Sequence, residues 1–398
     1  MKKKKPEIRF NGFEGEWASY AFRFLFTEKR DTTQDEFEDQ LLSCAIDGIY
    51  LNSELFNHFR GSTTIGYLKV KRYDLILSAQ NLHLGNANVN LRFASGIISP
   101  AYKVYTINGD NPYFINAWVK SEHAKNFFMS ATTEGASLCR KNIEWEFLYD
   151  KKICIPSLSE QEKIGLFLTT LDKLIAKLEA KLDKLRKLKQ ALLEKMFANV
   201  NGGGKTPEIR FKGYTNKWEV NNVASIFETY YDKNHPNLPV LSASQEFGMI
   251  IRDNVGFQVQ HNKENEVGYK RVLPGQFVIH LRSFQGGFAH SLVEGITSPA
   301  YTVMQFKKSS KQDDIYWKYV LTSKTFIKRL ETVTYGIRDG RSISFEDFSE
   351  LDFTFPSLSE QQQIGKCFTQ IDTHFSKTST KLTKLRKIKQ SLLQKMFA

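Results

Sequence analysis

The chain has 398 residues, of which 41% are hydrophobic and 25% charged, and Lys and Arg exceed Asp and Glu by 56 to 43, giving a net charge of +13. This composition predicts two or three folded domains and argues against a mainly disordered chain. The lack of any run of about 18 apolar residues argues against a transmembrane helix. The positive charge favours an anionic partner, but it does not choose between nucleic acid, a membrane surface and an acidic protein.

Two features indicate a reducing cytoplasm. The opening MKKKK is followed by PEIRFNGFEGEW, which has no continuous apolar core, so we expect no export signal. The cysteines stand apart without CxxC or Cys/His pairing, which argues against a zinc finger and against a disulfide scaffold. They are Cys44, Cys139, Cys154 and Cys367.

The chain contains an internal duplication with an offset of about 200 residues. The matching segments are Pro6–Phe10 with Pro207–Phe211, Ser99–Tyr102 with Ser298–Tyr301, Pro156–Gln161 with Pro356–Gln361, and Lys195–Ala198 with Lys395–Ala398. About 25 of the 43 positions from 156 to 198 match their counterparts, whereas little matches in the blocks before them. We therefore predict variable domains at 1–155 and 207–355, near-constant segments at 156–198 and 356–398, and a glycine-containing linker at 199–206.

Each near-constant segment is predicted to form one long amphipathic helix. Pro156 blocks helix upstream, and Ser159 with Glu162 three residues later has the pattern of a capping box. Apolar residues then alternate in steps of four and three, which indicates the seam of a coiled coil. The seam residues are Ile164, Leu168, Leu171, Ile175, Leu178, Leu182 and Leu185 in the first copy, and Ile364, Phe368, Ile371, Phe375, Leu382 and Leu385 in the second. We expect the two helices to pair about a pseudo-twofold axis, and therefore antiparallel, with a variable domain at each end.

The variable domains are predicted to share one architecture with different surfaces. Strand-like runs at 73–77 and 276–281 follow turn signals, and helical periodicity covers 116–130 and 316–331. The predicted fold class is α+β: two mixed α/β domains joined by two long antiparallel coiled-coil helices, with an internal pseudo-twofold repeat.

No motif indicates catalysis. Gly202–Thr206 ends like a phosphate loop, but Asn199 stands where that loop needs its first glycine, and a predicted helix precedes it instead of a strand. Asn111–Phe114 resembles the Asn-Pro-Pro-Tyr/Phe loop of amino-methyltransferases, yet one proline and a glycine-rich cofactor turn are missing. The Pro-Asp pair of common nucleases and an HExxH spacing are absent as well. We expect no catalytic residue and no metal site.

Polar loops of the variable domains are candidate binding sites. Arg282 and Gln285 lie just after a predicted strand, and Arg can pair with guanine and Gln with adenine. For each single residue, an ordinary surface loop or turn is the alternative. The DNA-binding candidates are Ser78, Gln80, Asn81, His83, Arg92, Arg140, Lys141, His280, Arg282, Ser283, Gln285, Arg338, Arg341 and Ser342. Cations also line both long helices, as either a solvated face or a surface for DNA or an acidic protein.

Three motifs together resemble the specificity subunit of type I restriction-modification enzymes. They are PEIRF-x-G-[FY] with a Trp near each start, Pro-x-Leu-Ser-Glu-Gln-x-x-Ile at the entry to each long helix, and Leu-Arg-x-x-Lys-x-x-Leu-Leu-x-Lys-Met-Phe at each end. The resemblance covers the whole chain. It implies two target-recognition domains, each reading one half of a split, asymmetric DNA site. It also implies that the paired helices set the unread spacer and dock two modification subunits.

The resemblance further implies that this chain catalyses nothing and binds no cofactor or metal itself. The modification subunits resemble N6-adenine methyltransferases that use S-adenosylmethionine, and two restriction subunits add ATP- and Mg²⁺-dependent translocation and cleavage of double-stranded DNA. No membrane partner is expected. Two alternatives remain: a scaffold without sequence-specific DNA binding, and an enzyme with its own methyltransferase or nuclease activity, which the missing motifs oppose.

Overall fold

The computed structural model describes residues 5–57, 62–137, 140–197, 206–244, 247–252, 263–280, 287–330 and 344–398, without the side chains of 134–137, 140–141 and 263–265. The chain divides into two compact units. Unit 1 comprises residues 1–180 and 379–398, and unit 2 comprises residues 181–378. Each unit therefore contains one variable domain together with part of each near-constant segment.

Unit 1 is built around an antiparallel four-stranded sheet. Its strands are β1 (Ala18–Ala21), β2 (Phe26–Lys29), β3 (Leu42–Ala45), β4 (Gly48–Leu51), β5 (Leu68–Lys71), β6 (Leu75–Ser78), β7 (Ala87–Val89), β8 (Ser95–Ile98), β9 (Tyr102–Ile107), β10 (Thr132–Ser137), β11 (Arg140–Ile143) and β12 (Lys152–Ile155). Its helices are α1 (Phe22–Leu25), α2 (Asn52–Leu55), α3 (Pro112–Val119), α4 (Glu122–Met129), α5 (Trp145–Asp150) and the first part of α6 (Leu158–Met196), with a 3-10 turn at Leu82–Leu84. The central sheet has the order β2-β9-β6-β7, and the pairs β1-β12, β3-β4, β5-β8 and β10-β11 surround it.

The central sheet of unit 2 has the same topology as that of unit 1, with β14, β21, β18 and β19 in place of β2, β9, β6 and β7. Its strands are β13 (Glu219–Asn222), β14 (Phe227–Tyr230), β15 (Leu241–Ser244), β16 (Gly248–Ile251), β17 (Lys270–Val272), β18 (Phe277–Ile279), β19 (Phe288–His290), β20 (Gly295–Thr297), β21 (Thr302–Phe306) and β22 (Asp352–Phe355). Its helices are α7 (Val223–Ile226), α8 (Asp314–Leu321), α9 (Lys324–Leu330), α10 (Phe345–Ser349) and the first part of α11 (Leu358–Lys395), with a 3-10 turn at Lys263–Gly268. The four-stranded sheet has the order β14-β21-β18-β19, with β13-β22, β15-β16 and β17-β20 as the two-stranded pairs.

The central sheet of unit 1 buries both faces because successive side chains of a strand point to opposite sides. Leu75 and Leu77 of β6 pack in the same apolar cluster as residues of α3 and α4. Ile76 between them packs in a second cluster with Leu42 of β3 and Val70 of β5. The second face therefore supports the β3-β4 hairpin, which forms part of the candidate site.

The ends of the long helices complete the two cores. Met396 and Phe397 are buried in the core of unit 1, and Met196 and Phe197 are buried in the core of unit 2. A fully buried Phe or Met side chain contributes about 1.5–3 kcal/mol of hydrophobic stabilisation. The repeated Lys-Met-Phe-Ala ending is therefore a packing motif.

The repeated motifs at the domain entries and helix starts bind each other within each unit. Arg9 of the PEIRF segment donates from Nε and Nη2 to the two carboxylate oxygens of Glu160, at 2.8 and 2.7 Å. Arg210 makes the same two bonds to Glu360, also at 2.8 and 2.7 Å. Bidentate charged pairs of this kind are strong and directional. They explain why the two motifs recur together.

Gln161, which follows Glu160, holds the segment that begins helix α3. Gln161 accepts from the backbone N–H of Asn111 at 2.8 Å and donates to Pro156 O at 3.1 Å. Asn111 in turn caps α3, because its side chain accepts from the N–H groups of Tyr113 and Phe114. The Asn-Pro-Tyr-Phe run therefore forms the start of helix α3, and its asparagine is the N-cap.

The predicted seam residues are all buried or half-buried. Within unit 1, Lys389 pairs with Asp172, and Arg386 pairs with Glu179 at 2.6 Å. Along α6 the partners advance from Asp172 to Glu179, whereas along α11 they go back from Lys389 to Arg386. These helix segments therefore run antiparallel. Ile164 and Leu168, at the start of the seam, belong to the core of unit 1, so the seam continues into the globular domain.

The structure refines one sequence prediction about the helices and corrects another. The helical periodicity of each variable domain corresponds to two short helices, α3 and α4 in unit 1 and α8 and α9 in unit 2. Ser121 and Ser323 separate the helices of each pair, and each hydroxyl accepts a hydrogen bond from a backbone N–H three residues later. The long helix begins at Leu158, so the predicted Ser159–Glu162 capping box does not form; the carbonyl of Ser157 accepts the first backbone bonds.

The strand boundaries are also corrected. The run at 73–77 begins too early because Tyr73 has a φ of +73°, which ends an extended strand. The run at 276–281 is strand only at Phe277–Ile279, and Leu281 lies outside the described residues. The mixed α/β class with long helices is confirmed. Within the described ranges, no helix combines the length and apolar character that crossing a membrane requires.

Candidate nucleic-acid interface

The best-defined candidate site of unit 1 lies where β6 ends. Ser78 is the last residue of β6, and its carbonyl accepts from the N–H of Asn81 at 3.2 Å. Asn81 O then accepts from the N–H groups of Leu84 and Asn86, at 3.0 and 3.2 Å. This tight turn leaves the side chains of Gln80 and Asn81 exposed.

Buried residues hold this turn in place. Leu82 and His83 are 0% and 6% exposed, so they anchor the 3-10 turn beneath the surface. Gly85 ends the turn with a φ of +86°, a conformation that favours glycine. His83 is therefore an anchor of the turn. Among the DNA-binding candidates of this turn, Gln80 and Asn81 line the adjoining cleft and His83 does not.

Ser78, Gln80 and Asn81 line one cleft of about 390 Å³. The opposite walls come from the β3-β4 hairpin and from the Ser-Pro-Ala-Tyr turn. The described residues that line it are Leu41, Leu42, Ser43, Asn52, Phe56, Tyr67, Ser78, Gln80, Asn81, Ser99, Ala101 and Tyr102. None of these side chains is charged. These described side chains offer amides, hydroxyls and aromatic surface to a ligand.

The walls of the cleft are fixed by internal hydrogen bonds. Tyr102 Oη donates to the carbonyl of Cys44 at 3.3 Å, and burial raises the pKa of Tyr102. Asn52 Nδ2 donates to Ser43 Oγ at 2.9 Å. In contrast, the side-chain amides of Gln80 and Asn81 bond to no residue within the described part of the chain. A rigid wall with two unpaired amides at its rim is preorganised for a polar ligand.

The other candidates of unit 1 lie elsewhere or outside the described side chains. Arg92 donates to both oxygens of Glu54, at 2.8 and 2.6 Å, and lies over the Phe93 ring at 4.7 Å. This bond to Glu54 raises the pKa of Arg92. Arg140 and Lys141 belong to β11, but their side chains are not among those described.

In unit 2, His280 directly follows β18, at the position that Ser78 occupies in unit 1. Its ring centroid lies 6.1 Å from that of Tyr301, the tyrosine of the second Ser-Pro-Ala-Tyr copy. Burial lowers the pKa of His280, which favours the neutral ring at pH 7. The remaining candidates, Arg282, Ser283, Gln285, Arg338, Arg341 and Ser342, lie outside the described residues.

Sequence reasoning missed Asn52, Ser43, Tyr67 and Phe56, which reach the cleft from other elements. Tyr102 could have been found, since it ends a segment that recurs as Tyr301. Asn52 carries no local signal, because its role depends on a hairpin that folds against the end of β6. No cluster of potential metal ligands occurs among the residues that the structure describes.

The long helices carry a second polar surface. Several of their lysines take part in ion pairs, such as Lys189 with Asp372 at 2.6 Å and Lys187 with Asp183 at 2.9 Å. Others, including Lys173, Lys177 and Lys181, are exposed. A solvated helix face therefore accounts for part of the positive charge, and the exposed cations are available to a partner.

No protein-family model matches the chain. Over 290 residues, the chain is 23% identical to the specificity subunit of the type I restriction enzyme MjaVIII of Methanocaldococcus jannaschii, which covers 68% of this chain and 66% of that protein. The chain thus spans slightly less than two thirds of the length of this curated relative.

Solved structures also resemble the chain. The S subunit of a type I restriction-modification system from M. genitalium has a TM-score of 0.61 at 13% identity, with 99% of each chain covered, and so shares the fold. The HsdS subunit from Thermoanaerobacter tengcongensis has a TM-score of 0.46 at 15% identity over 96% of each chain. The resemblance that the sequence motifs indicate is confirmed: the chain is similar in sequence to one specificity subunit of a type I restriction enzyme and similar in fold to the S subunit of a type I restriction-modification system.

Proposed function

We propose that this chain is the sequence-specific DNA-binding subunit of a type I restriction-modification complex. Its two variable domains act as target-recognition domains, and each reads one half of a bipartite, asymmetric site on double-stranded DNA. The observation that carries the proposal is a shared domain scaffold with different polar residues at matched positions, such as Ser78 and His280 at the ends of β6 and β18. One scaffold with two sets of polar groups suits two different half-sites.

The chemistry of the unit 1 cleft supports base recognition. Phosphate contacts, which come chiefly from Lys, Arg and backbone N–H groups, position a protein on DNA, whereas hydrogen bonds to base edges specify the sequence. Among the residues that the structure describes, those lining the cleft carry amides and hydroxyls and no charged group. Cations on the long helices and elsewhere supply the general attraction to DNA that a net charge of +13 favours.

The long helices are proposed to form an antiparallel coiled coil with pseudo-twofold symmetry that sets the spacer and docks two modification subunits. Those subunits methylate adenine at N6 with S-adenosylmethionine, and two restriction subunits with ATP and Mg²⁺ add translocation and cleavage. This chain catalyses none of these steps. Its contribution is to choose the DNA sequence on which its partners act.

Methylation mapping tests the proposal. The chain is combined with its cognate modification subunit and S-adenosylmethionine, and methylated adenines are located by single-molecule sequencing. We expect a bipartite motif with a fixed gap. Methylation without a sequence preference, or in one continuous site, would contradict the proposal and favour a scaffold role. Methyl transfer by the isolated chain would show that the chain is itself an enzyme.

Domain exchange tests the independence of the two readers. When residues 1–155 are replaced by the corresponding domain of another such subunit, one half of the methylated motif changes and the other half stays. A change in both halves would show that the two domains do not read DNA separately.

A further inference from the structure

Asn52 in unit 1 and Arg252 in unit 2 occupy the same position of the same hairpin. Each directly follows the second strand of its hairpin, β4 or β16. The N–H of Asn52 donates to Leu41 O at 2.8 Å, and the N–H of Arg252 donates to Val240 O at 2.9 Å. The backbone therefore presents both side chains in the same way.

The side chains are also held by the same partner. Asn52 Nδ2 donates to Ser43 Oγ at 2.9 Å, and Arg252 Nε donates to Ser242 Oγ at 3.2 Å. Ser43 and Ser242 are the second residues of β3 and β15. The scaffold thus keeps its serine and its hydrogen bond in both copies, while the polar end of the side chain changes from an amide to a guanidinium.

The chemistry left over after this bond differs between the two units. Asn52 retains its carbonyl oxygen and one N–H, and it lines the same cleft as Gln80 and Asn81, from the opposite wall. An amide pairs bidentately with adenine through N6 and N7. Arg252 uses Nε for its serine, which leaves the two Nη groups as a fork that matches O6 and N7 of guanine.

We propose that Asn52 and Arg252 are equivalent specificity-determining residues, one in each half-site reader. Asn52, with Gln80 and Asn81, reads an adenine of the first half-site in the unit 1 cleft, and Arg252 reads a guanine of the second. This inference rests on the proposed function, since it assigns the base contacts of the same recognition domains.

Reciprocal substitution tests the proposal in the assembled complex with the modification subunit. In Asn52→Arg, one position of the first half-site changes its preference from adenine to guanine, and the second half-site is unaffected. In Arg252→Asn, one guanine of the second half-site gives way to adenine. The expected change in preference at the affected position is about 5- to 150-fold, the range for one bidentate base contact. Asn221→Ala, which removes an exposed amide of β13, is the control and keeps both half-sites.

A base analogue gives a test that does not depend on the larger side chain being accommodated. Replacing the assigned adenine by 7-deazaadenine removes N7, so binding by the wild-type complex weakens. Asn52→Ala binds the normal duplex more weakly, and the analogue weakens its binding less than it weakens that of the wild type.

The outcomes separate the inference from the proposed function. If the wild-type complex methylates a bipartite motif but Asn52→Arg and Arg252→Asn leave both half-sites unchanged, the inference is wrong and the proposed function stands. An equal loss of affinity on specific and random DNA would make these residues phosphate contacts and also overturn the inference. If the wild-type complex shows no sequence preference, the proposed function itself fails.

Discussion

Removal of Arg9 should destabilise unit 1 and leave unit 2 intact. The Glu160 side chain is 1% exposed, and Arg9 supplies both hydrogen bonds to its carboxylate. Arg9→Ala would leave a buried carboxylate without its cation, a change that costs about 3–5 kcal/mol when a buried pair is broken on one side. Because Arg9 is itself 16% exposed, water can reach part of the vacated site, and we expect the lower end, about 3 kcal/mol.

The chain offers two matched comparisons. Arg210→Ala removes the equivalent bonds to Glu360 and should destabilise unit 2 by a similar amount, since Arg210 is 13% exposed and Glu360 is 1% exposed. Arg23→Ala breaks a surface ion pair in which the Arg23 side chain is 44% exposed and the Asp150 side chain 72% exposed. This variant should cost below about 1 kcal/mol.

Hydrogen exchange detected by mass spectrometry in a urea series measures these effects separately in each unit. A single free energy of unfolding is not well defined for a chain with two units, so peptides from each unit are followed by themselves. Arg9→Ala should lower the protection of peptides from 158–180 and from the central sheet of unit 1. The reasoning is refuted if Arg9→Ala costs no more than Arg23→Ala, or if both units lose protection equally.

Three further predictions concern packing and ionisation. Gly165→Ala would bring its Cβ to 2.8 Å from the N atom of Phe114 and should cost about 1–3 kcal/mol by overpacking. For Gly365→Ala the nearest atom is 3.0 Å away, so the gain in helix propensity offsets much of the strain. Hydrogen exchange of unit 1 peptides in the first variant and of unit 2 peptides in the second distinguishes the two cases. Phe397→Ala should destabilise unit 1 by about 3–5 kcal/mol, because this side chain is 2% exposed in that core; loss of protection confined to unit 2 would contradict this placement. Burial lowers the pKa of Lys120 from 10.5 to about 8, so the unfolded state binds more protons above pH 8 and unit 1 becomes more stable as the pH rises from 8 to 9. Burial of the thiol raises the pKa of Cys44 from 9.0 to about 11 and opposes this trend above pH 9. Lys120→Met should abolish the rise, measured as the urea midpoint of hydrogen-exchange protection in unit 1 peptides.

Periodic and repeated features were readable from the sequence alone. The four-three spacing from Ile164 to Leu185 predicts a buried stripe, and every residue of that stripe is buried or half-buried. The recurrence of the Ser-Pro-Ala-Tyr turn marks Tyr102 and Tyr301 as shared positions. Tyr102 is the first residue of β9, which pairs with β6, and Tyr301 directly precedes β21, which pairs with β18. Because such features are local or repeated in the sequence, they can be recognised without knowledge of the fold.

Interactions between distant segments required the tertiary structure. The sequence suggested Arg92 as a DNA contact, but in the structure Arg92 pairs with Glu54. Because Glu54 lies 38 residues away in the chain, no local sequence pattern predicts this pair. The bond between Asn52 and Ser43 needs the β3-β4 hairpin, and the cleft exists only because that hairpin packs over the end of β6.

The sequence by itself therefore determined the duplication, the long helices and the resemblance to specificity subunits. Only the tertiary structure decided which polar side chains meet. The physical reason is that helix periodicity and repeats are properties of neighbouring positions, whereas a binding cleft is formed by residues that come together only when the sheet buries both of its faces. Asn52 and Arg252 show this most clearly: their equivalence follows from one backbone bond and one serine contact, not from any similarity between the residues themselves.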